Sequence, residues 1–175
     1  MSSQNTVIVI VFAVLSIGVP LISLGITDDD ERIAKADRSI DDLALTLTRT
    51  ACFGTCPVYT LSIANDNSVR FEGIAFTDVE GVVESTLTHD QMAAITEDIV
   101  RSNFFGHKHD DNCIVFATDH PSVKLDIRWH RRERIADVNL GCQKRRPDPV
   151  PGLADRVDDI VNTMQWIGDT PKEWP

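Results

Sequence analysis

A short loop that begins and ends with cysteine, between two strand-like segments, constrains this chain more than any other feature. The loop is the pentapeptide CFGTC, residues 52–56, and Pro57 follows it. On both sides of it, apolar residues alternate with small or polar ones, the period-2 pattern of half-buried strands; they are Leu43, Leu45 and Leu47 before the loop and Tyr59, Leu61 and Ile63 after it. Gly54 gives the backbone freedom that a tight reversal needs, and Pro57, which lacks an N–H, suits the first residue of a strand. We therefore predict two strands joined by this loop.

The rest of the chain predicts one α+β domain. A turn at 65–68 leads to a third strand, Val69 to Phe76, and a fourth, Val82 to Leu87, which complete an antiparallel four-strand meander. Thr88 and Gln91 form a capping box that starts a helix.

A two-strand hairpin and a second helix follow that first helix. Alternation predicts a strand from Val123 to Trp129, and a turn near residues 130–132 leads into a return strand from Arg134 to Leu140. Apolar residues from Leu153 to Ile167 then recur at helical spacing, and Gly168 is a natural stop. The predicted order is four strands, helix, hairpin and C-terminal helix, which fits one α+β domain.

An uncharged run precedes the domain. Val7 to Ile26 is twenty residues without a charge, long enough to cross a hydrocarbon core of about 30 Å as a helix. The first six residues lack the Lys or Arg expected of a signal peptide, so a membrane anchor is preferred to a cleaved signal. The predicted organisation is an anchor or signal at 1–26, a polar tether at 27–42, the domain at 43–168 and a tail at 169–175.

Four cysteines, an even number downstream of an exported-looking segment, favour disulfides and an oxidising compartment. Sequence allows three connectivities, of which we favour Cys52 with Cys56 and Cys113 with Cys142. A redox dithiol usually has the spacing C-x-x-C at the start of a helix, whereas here the spacing is C-x-x-x-C and a strand follows. A zinc site would want a matching second pair, which Cys113 and Cys142 do not provide.

The charge distribution suggests a partner surface. The net charge of −10 argues against a general nucleic-acid-binding protein. Basic residues nevertheless concentrate between Lys124 and Arg146. A solvated hairpin tip is the usual meaning of such a run, but it also offers candidate partner-binding residues: Arg128, Arg131, Arg132, Arg134, Lys144, Arg145 and Arg146.

Signals for enzymatic or metal chemistry are weak. His107, His109 and Asp110 are the types of residue that bind divalent metals, although a polar surface loop often contains them by chance. The sequence contains no nucleophile elbow, zinc-protease helix, Walker loop or dinucleotide-binding fingerprint. We therefore assign no catalytic residue and no cofactor, and favour a non-enzymatic protein.

The segment from Arg49 to Tyr59, RTACFGTCPVY, resembles the opening motif of a mostly bacterial family, domain-of-unknown-function family 6438. Later segments resemble it in order and spacing: NFF at 103–105, TDHPS at 118–122, and GC at 141–142 with WIG at 166–168, which are similar to a branch carrying an extra cysteine pair. The resemblance covers about Leu43 to Gly168. It implies a small α+β domain behind a signal or anchor, and it brings no catalytic residues because no activity is established for the family.

Together these features predict a domain tethered to the inner membrane, or exported, that lies in the periplasm or extracytoplasmic space. We expect it to act as a non-enzymatic interaction or envelope-associated module, with an unknown protein or envelope component as partner. The alternative is a thiol-redox or metal-binding protein that uses the loop of Cys52 and Cys56.

Overall fold

The structure, a computed structural model, describes residues 42–108 and 112–168. The predicted anchor or signal, most of the tether, the C-terminal tail, His109 and Asp110 lie outside these residues. Among the helices of the described ranges, none combines the length and the hydropathy needed to cross a bilayer.

Eight strands and three helices follow one another along the described chain. The first half contains β1 (Ala44–Arg49), β2 (Val58–Ile63), β3 (Ser68–Ala75), β4 (Gly81–Thr86) and helix α1 (His89–Arg101). The second half contains β5 (Val115–Phe116), β6 (Ser122–Trp129), β7 (Arg132–Asn139), β8 (Cys142–Gln143), α2 (Pro149–Val161) and α3 (Met164–Ile167). The predicted α+β class is confirmed.

The predicted meander and hairpin join into a single six-stranded antiparallel sheet. Its strand order is β4-β3-β2-β1-β6-β7, so the first strand of the domain lies inside the sheet. β1 pairs with β2 through Leu47 and Leu61, and with β6 through Leu47 and Leu125. β5 and β8 form a separate two-stranded sheet that the sequence did not reveal, because two-residue strands have no measurable alternation.

One face of the six-stranded sheet carries the core. Strand residues of alternating register, such as Leu47, Leu61 and Leu125, are fully buried there. The apolar faces of α1 and α2, represented by Ile95 and Val157, belong to the same core. Burying one such side chain stabilises the fold by roughly 1.5–3 kcal/mol, so this layer supplies the main driving force for folding. The opposite face of the sheet bears mainly small and polar residues.

The predicted single C-terminal helix is wrong: it is broken at Asn162. This residue adopts a left-handed conformation with φ of 60°, and its N–H donates to the carbonyls of Asp158 and Asp159. Asn tolerates this conformation better than most residues, so the helix ends at Val161, before the predicted Ile167. The chain then resumes as α3, which ends before Gly168 as expected. The apolar periodicity continued through the break because both helices pack on the same core.

Candidate interaction surface at the disulfide end of the sheet

Both disulfides lie at one end of the sheet, which we call the disulfide end. β1 runs toward this end and β2 runs away from it, so the loop at residues 50–57 crosses there. Because all neighbouring strands are antiparallel, β3 and β7 also finish at this end, and β4 and β6 start there. The small sheet of β5 and β8 is placed here too, since its strands directly precede β6 and follow β7 in the chain.

The two favoured disulfides form in the structure, and they include all four cysteines. The Cα atoms of Cys52 and Cys56 are 5.7 Å apart, and those of Cys113 and Cys142 are 5.1 Å apart. Both distances lie in the usual range for disulfides. Cys56 is buried, whereas Cys52 is partly exposed. The first disulfide closes the loop, and the second joins β8 to the residue two positions before β5.

The loop is also held by its neighbours. The Thr50 N–H donates to the Ser122 carbonyl at 3.1 Å, and the Ser122 N–H donates to Oγ1 of Thr50 at 2.7 Å. The Phe53 N–H donates to the Asp119 carbonyl at 3.0 Å. The backbone beside the loop therefore has two anchors on the segment that leads into β6, in addition to its disulfide.

A buried ionic network holds the two strands that flank the loop. Arg49, the last residue of β1, donates to Oδ2 of Asp158 from Nε at 3.0 Å and from Nη2 at 2.7 Å. Tyr59, near the start of β2, donates its hydroxyl to the same oxygen at 2.7 Å. Thr163 donates to Oδ1 of Asp158 at 3.0 Å, and Arg49 also reaches Asp155 at 2.7 Å. One carboxylate of α2 thus ties down both ends of the loop.

Burial governs the ionisation of this network. It raises the pKa of the Tyr59 hydroxyl, and the adjacent Asp158 carboxylate raises it further, so the phenol remains a hydrogen-bond donor. Burial alone would lower the pKa of Arg49, but Asp158, Tyr59 and Asp155 together outweigh it and the net shift is upward. Burial also raises the pKa of Asp158, against the opposing effects of Arg49 and the hydroxyl donors. The arrangement suits structural support of the loop: every polar group named here is paired inside the protein.

Sequence reasoning missed this network, although one signal was available. Arg49 continues the alternation of Leu45 and Leu47, so it occupies a position that faces the core. A buried guanidinium requires a carboxylate partner. The identity of that partner was beyond reach, because Asp158 is separated from Arg49 by 109 positions in sequence.

In the loop held by these contacts, the Phe53 side chain is 89% exposed. Six other large apolar side chains that are about half exposed or more lie at the disulfide end. We call the seven residues the apolar rim; they are Phe53, Ile74, Phe76, Val82, Ile114, Val115 and Phe116. The rim spans several strands, which are spaced about 4.8 Å apart, so it extends over roughly 20 Å. Contiguous patches of exposed apolar residues mark interaction sites, so the rim is a candidate for one.

The basic residues predicted as one partner surface are not brought together. The turn at His130 and Arg131 lies at the opposite end of the sheet from the disulfides, and both residues have positive φ. Arg128 and Arg131 are exposed. Arg145 and Arg146 follow β8, are also exposed, and belong to the disulfide end. β7, about 25 Å long, separates the two groups.

Three of the predicted basic residues make contacts within the protein. The Arg132 guanidinium lies 4.3 Å from the centre of the Phe105 ring, a cation–π contact. Arg134 lies over Phe104, 5.2 Å from the ring centre, and donates to the carbonyl of that residue. Lys144 lies 3.3 Å from Asp148 and is largely buried. These contacts show packing roles for the three side chains.

The metal candidates are only partly described. Nε2 of His107 lies 3.8 Å from Oδ2 of Asp148, which also binds Lys144. Within residues 42–108 and 112–168, no three His, Cys, Asp or Glu side chains cluster as metal ligands. His107 and Asp148 therefore lie close together beside a lysine.

A groove of about 1000 Å³ lies on the open face of the sheet, away from the disulfides. Small and hydroxyl side chains such as Thr46, Ser62 and Thr86 line it together with charged residues. A smaller cleft of about 350 Å³ adjoins Arg49 and Asp158. Neither concavity is lined by a cysteine.

Residues 43–161 match the family described as Domain of unknown function (DUF6438), over more than half of the chain. The chain belongs to this family. The matched range includes both disulfides, the loop, Arg49 and Asp158, so the resemblance seen in the sequence is confirmed. No protein with a curated description matches the chain. Membership in DUF6438 therefore identifies the domain without assigning it an activity.

Proposed function

We propose that this protein is a non-enzymatic, membrane-tethered extracytoplasmic module that contacts a protein or envelope component through its apolar rim. The exposure of Phe53 on an anchored loop is the observation that supports this most directly. A Phe side chain left in water contributes little to folding, because its stabilising effect comes from burial. Here the surrounding loop is fixed by a disulfide and by hydrogen bonds, so the aromatic ring is presented by a rigid base.

Rigid presentation favours binding. A side chain that is already ordered loses less conformational entropy when a partner covers it, and aromatic residues are enriched among those that dominate binding energy. The extracytoplasmic location is supported by the two disulfides, which persist in oxidising compartments. The membrane tether is supported by the uncharged run of twenty residues from Val7 to Ile26.

Site-specific photo-crosslinking in the source cells tests this proposal. A photoreactive phenylalanine analogue is placed in the full chain at position 53, and in a matched control at position 100, an exposed residue of α1 outside the rim. We expect a discrete crosslinked product from position 53, and its loss when Phe116→Ser is added. F53S should leave the unfolding midpoint unchanged, since the ring is exposed. Equal products from both positions, or none from position 53, would contradict the proposal.

Thiol exchange at the loop is the second candidate, favoured by one observation: Cys52 is partly exposed beside the exposed Phe53. A thiolate that attacked Sγ of Cys52 would form a mixed disulfide and release Cys56 as a thiolate. Incubation with a glutathione redox series, followed by alkylation and mass measurement, tests this idea. Reduction of Cys52–Cys56 only below about −300 mV, as for structural disulfides, would exclude it.

A further inference from the structure

The two edges of the six-stranded sheet differ in how well they are protected. Within the described residues, β4 pairs only with β3, and five of its six residues are exposed. Its only charged residue is Glu84, among glycine, valine, serine and threonine residues. An exposed strand of this composition is a template for pairing with another strand.

The opposite edge has the protection that β4 lacks. β7 contains Arg132, Glu133, Arg134 and Asp137, four charged residues in eight positions. Charged side chains on an edge strand discourage pairing with a further strand. The contacts of Arg132 and Arg134 with the rings after α1 also hold this edge against the helical layer. The contrast indicates that pairing is allowed at β4 in particular.

We propose that β4 accepts an extended segment of another protein as a seventh strand of the sheet, with a basic side chain of that segment beside Glu84. In this recognition mode, main-chain hydrogen bonds supply affinity and alternate side chains supply specificity. The surface goes beyond the proposed function: it shares only Val82 with the apolar rim.

The charges next to β4 identify the partner chemistry. On the open face, Glu84 lies directly opposite Arg70 of β3, and Glu72 lies opposite Val82 of β4. Arg70 is already paired with Glu72 at 2.7 Å. These three charged side chains leave one negative charge beside the free edge of β4, and a Lys or Arg in an added strand is the complementary residue.

A second copy of this chain, paired through its own β4, offers no basic residue to Glu84, because β4 contains none. In an antiparallel pair, residues directly opposite each other share a face of the sheet. Symmetric pairing of two β4 strands centred on Glu84 would place the two carboxylates opposite each other, which is destabilising. A different protein with a basic residue at that position avoids this repulsion.

Peptide binding to the full chain, purified in detergent, tests the proposal. The probe is an acetylated and amidated seven-residue peptide of alternating Val and Lys; the matched peptide has Glu in place of Lys. We expect the Lys peptide to slow hydrogen exchange in β4 at least ten-fold for amides that do not bond to β3. Exchange in β7 should not change.

Charge-reversal variants supply the controls. E84K should bind the Lys peptide about five-fold more weakly and the Glu peptide more tightly, because the cross-strand pair reverses. D137K, an exposed acid of the other edge, should leave both affinities unchanged. F53S should also leave them unchanged, so failure here and failure of the rim proposal are distinguishable.

Three results would overturn the inference. The first is protection that is missing from β4 or that occurs at β7. The second is equal affinity of E84K and the parent chain for both peptides. The third is protection of β4 that grows with protein concentration in the absence of peptide, which would identify a second copy as the partner.

Discussion

Replacement of Arg49 by Met should reveal how strongly the loop depends on the buried network. The Arg49 side chain is 4% exposed, and its partner Asp158 is 14% exposed. Met fills most of the volume but leaves the Asp158 carboxylate with only its two hydroxyl donors. Removing one partner of a buried ion pair typically costs about 3–5 kcal/mol. Because Tyr59 and Thr163 remain, we expect about 3 kcal/mol for R49M, the lower limit of that range.

Asp155 supplies a matched control on the same guanidinium. It also bonds to Arg49 at 2.7 Å, but its side chain is 65% exposed. Exposed ion pairs contribute about 0–1 kcal/mol, so D155N should cost no more than that. The two variants therefore separate the effect of burial from the effect of losing an ion pair as such.

Urea unfolding of the full chain, with disulfides intact and tryptophan fluorescence as the signal, measures these changes. With a slope of about 2 kcal/mol per molar urea, R49M should lower the midpoint by about 1.5 M. The double variant R49M/D158N should lose at least 1 kcal/mol less than the sum of its single variants, since the two residues share one contact. A cost below about 1 kcal/mol for R49M, or equal costs for R49M and D155N, would refute the reasoning.

Three further changes have defined outcomes. Replacing Cys113 and Cys142 by Ala should lower the free energy of unfolding by about 3.5 kcal/mol, and replacing Cys52 and Cys56 by Ala should lower it by about 2 kcal/mol. The first loss is larger because a disulfide that closes a longer loop restricts the unfolded chain more. Urea denaturation of the two variants measures both losses. The N–H of Val150 and the ammonium of Lys144 outweigh burial and lower the pKa of Asp148. Its ionised form therefore stabilises the fold above its unfolded pKa, and this contribution is lost as pH falls through the lowered value. D148N should cost about 1–3 kcal/mol at pH 7 and progressively less below about pH 4, measured by urea midpoints across that range. Asn162→Ala should cost about 1 kcal/mol, whereas Asn162→Gly should be tolerated, because only the former strains a left-handed residue; thermal unfolding distinguishes them.

Local patterns in the sequence predicted much of the fold. Alternation and turn signals identified the six long strands, and the capping box at Thr88 and Gln91 correctly predicted the start of α1. The order of strands was not accessible, since nothing local to β1 says that its second neighbour is β6. The early end of α2 depends on the left-handed backbone conformation of Asn162, and the spacing of apolar residues does not predict that conformation.

The candidate site was predicted less completely than the fold. The number and spacing of the cysteines predicted the disulfides, because four cysteines allow only three pairings and Cys52 and Cys56 lie close together in sequence. The exposure of Phe53 was not predicted, since phenylalanine is usually a core residue and its residue type alone does not indicate exposure. The separation of the basic residues follows from strand direction: β7 takes Arg132 and Lys144 to opposite ends of one sheet.

The central position of β1 has a consequence for how the chain matures. Its partners on β6 lie about 75–85 residues further along the sequence. One edge of β1 therefore stays unpaired until most of the domain has been synthesised or translocated. The first four strands can assemble as the chain emerges, but the sheet is completed only when β6 arrives. Cys113 and Cys142 flank the β6–β7 hairpin, so oxidation of this pair after its arrival would lock the last strands in place. The slow step of maturation is therefore expected to be the docking of this hairpin onto a waiting four-stranded intermediate.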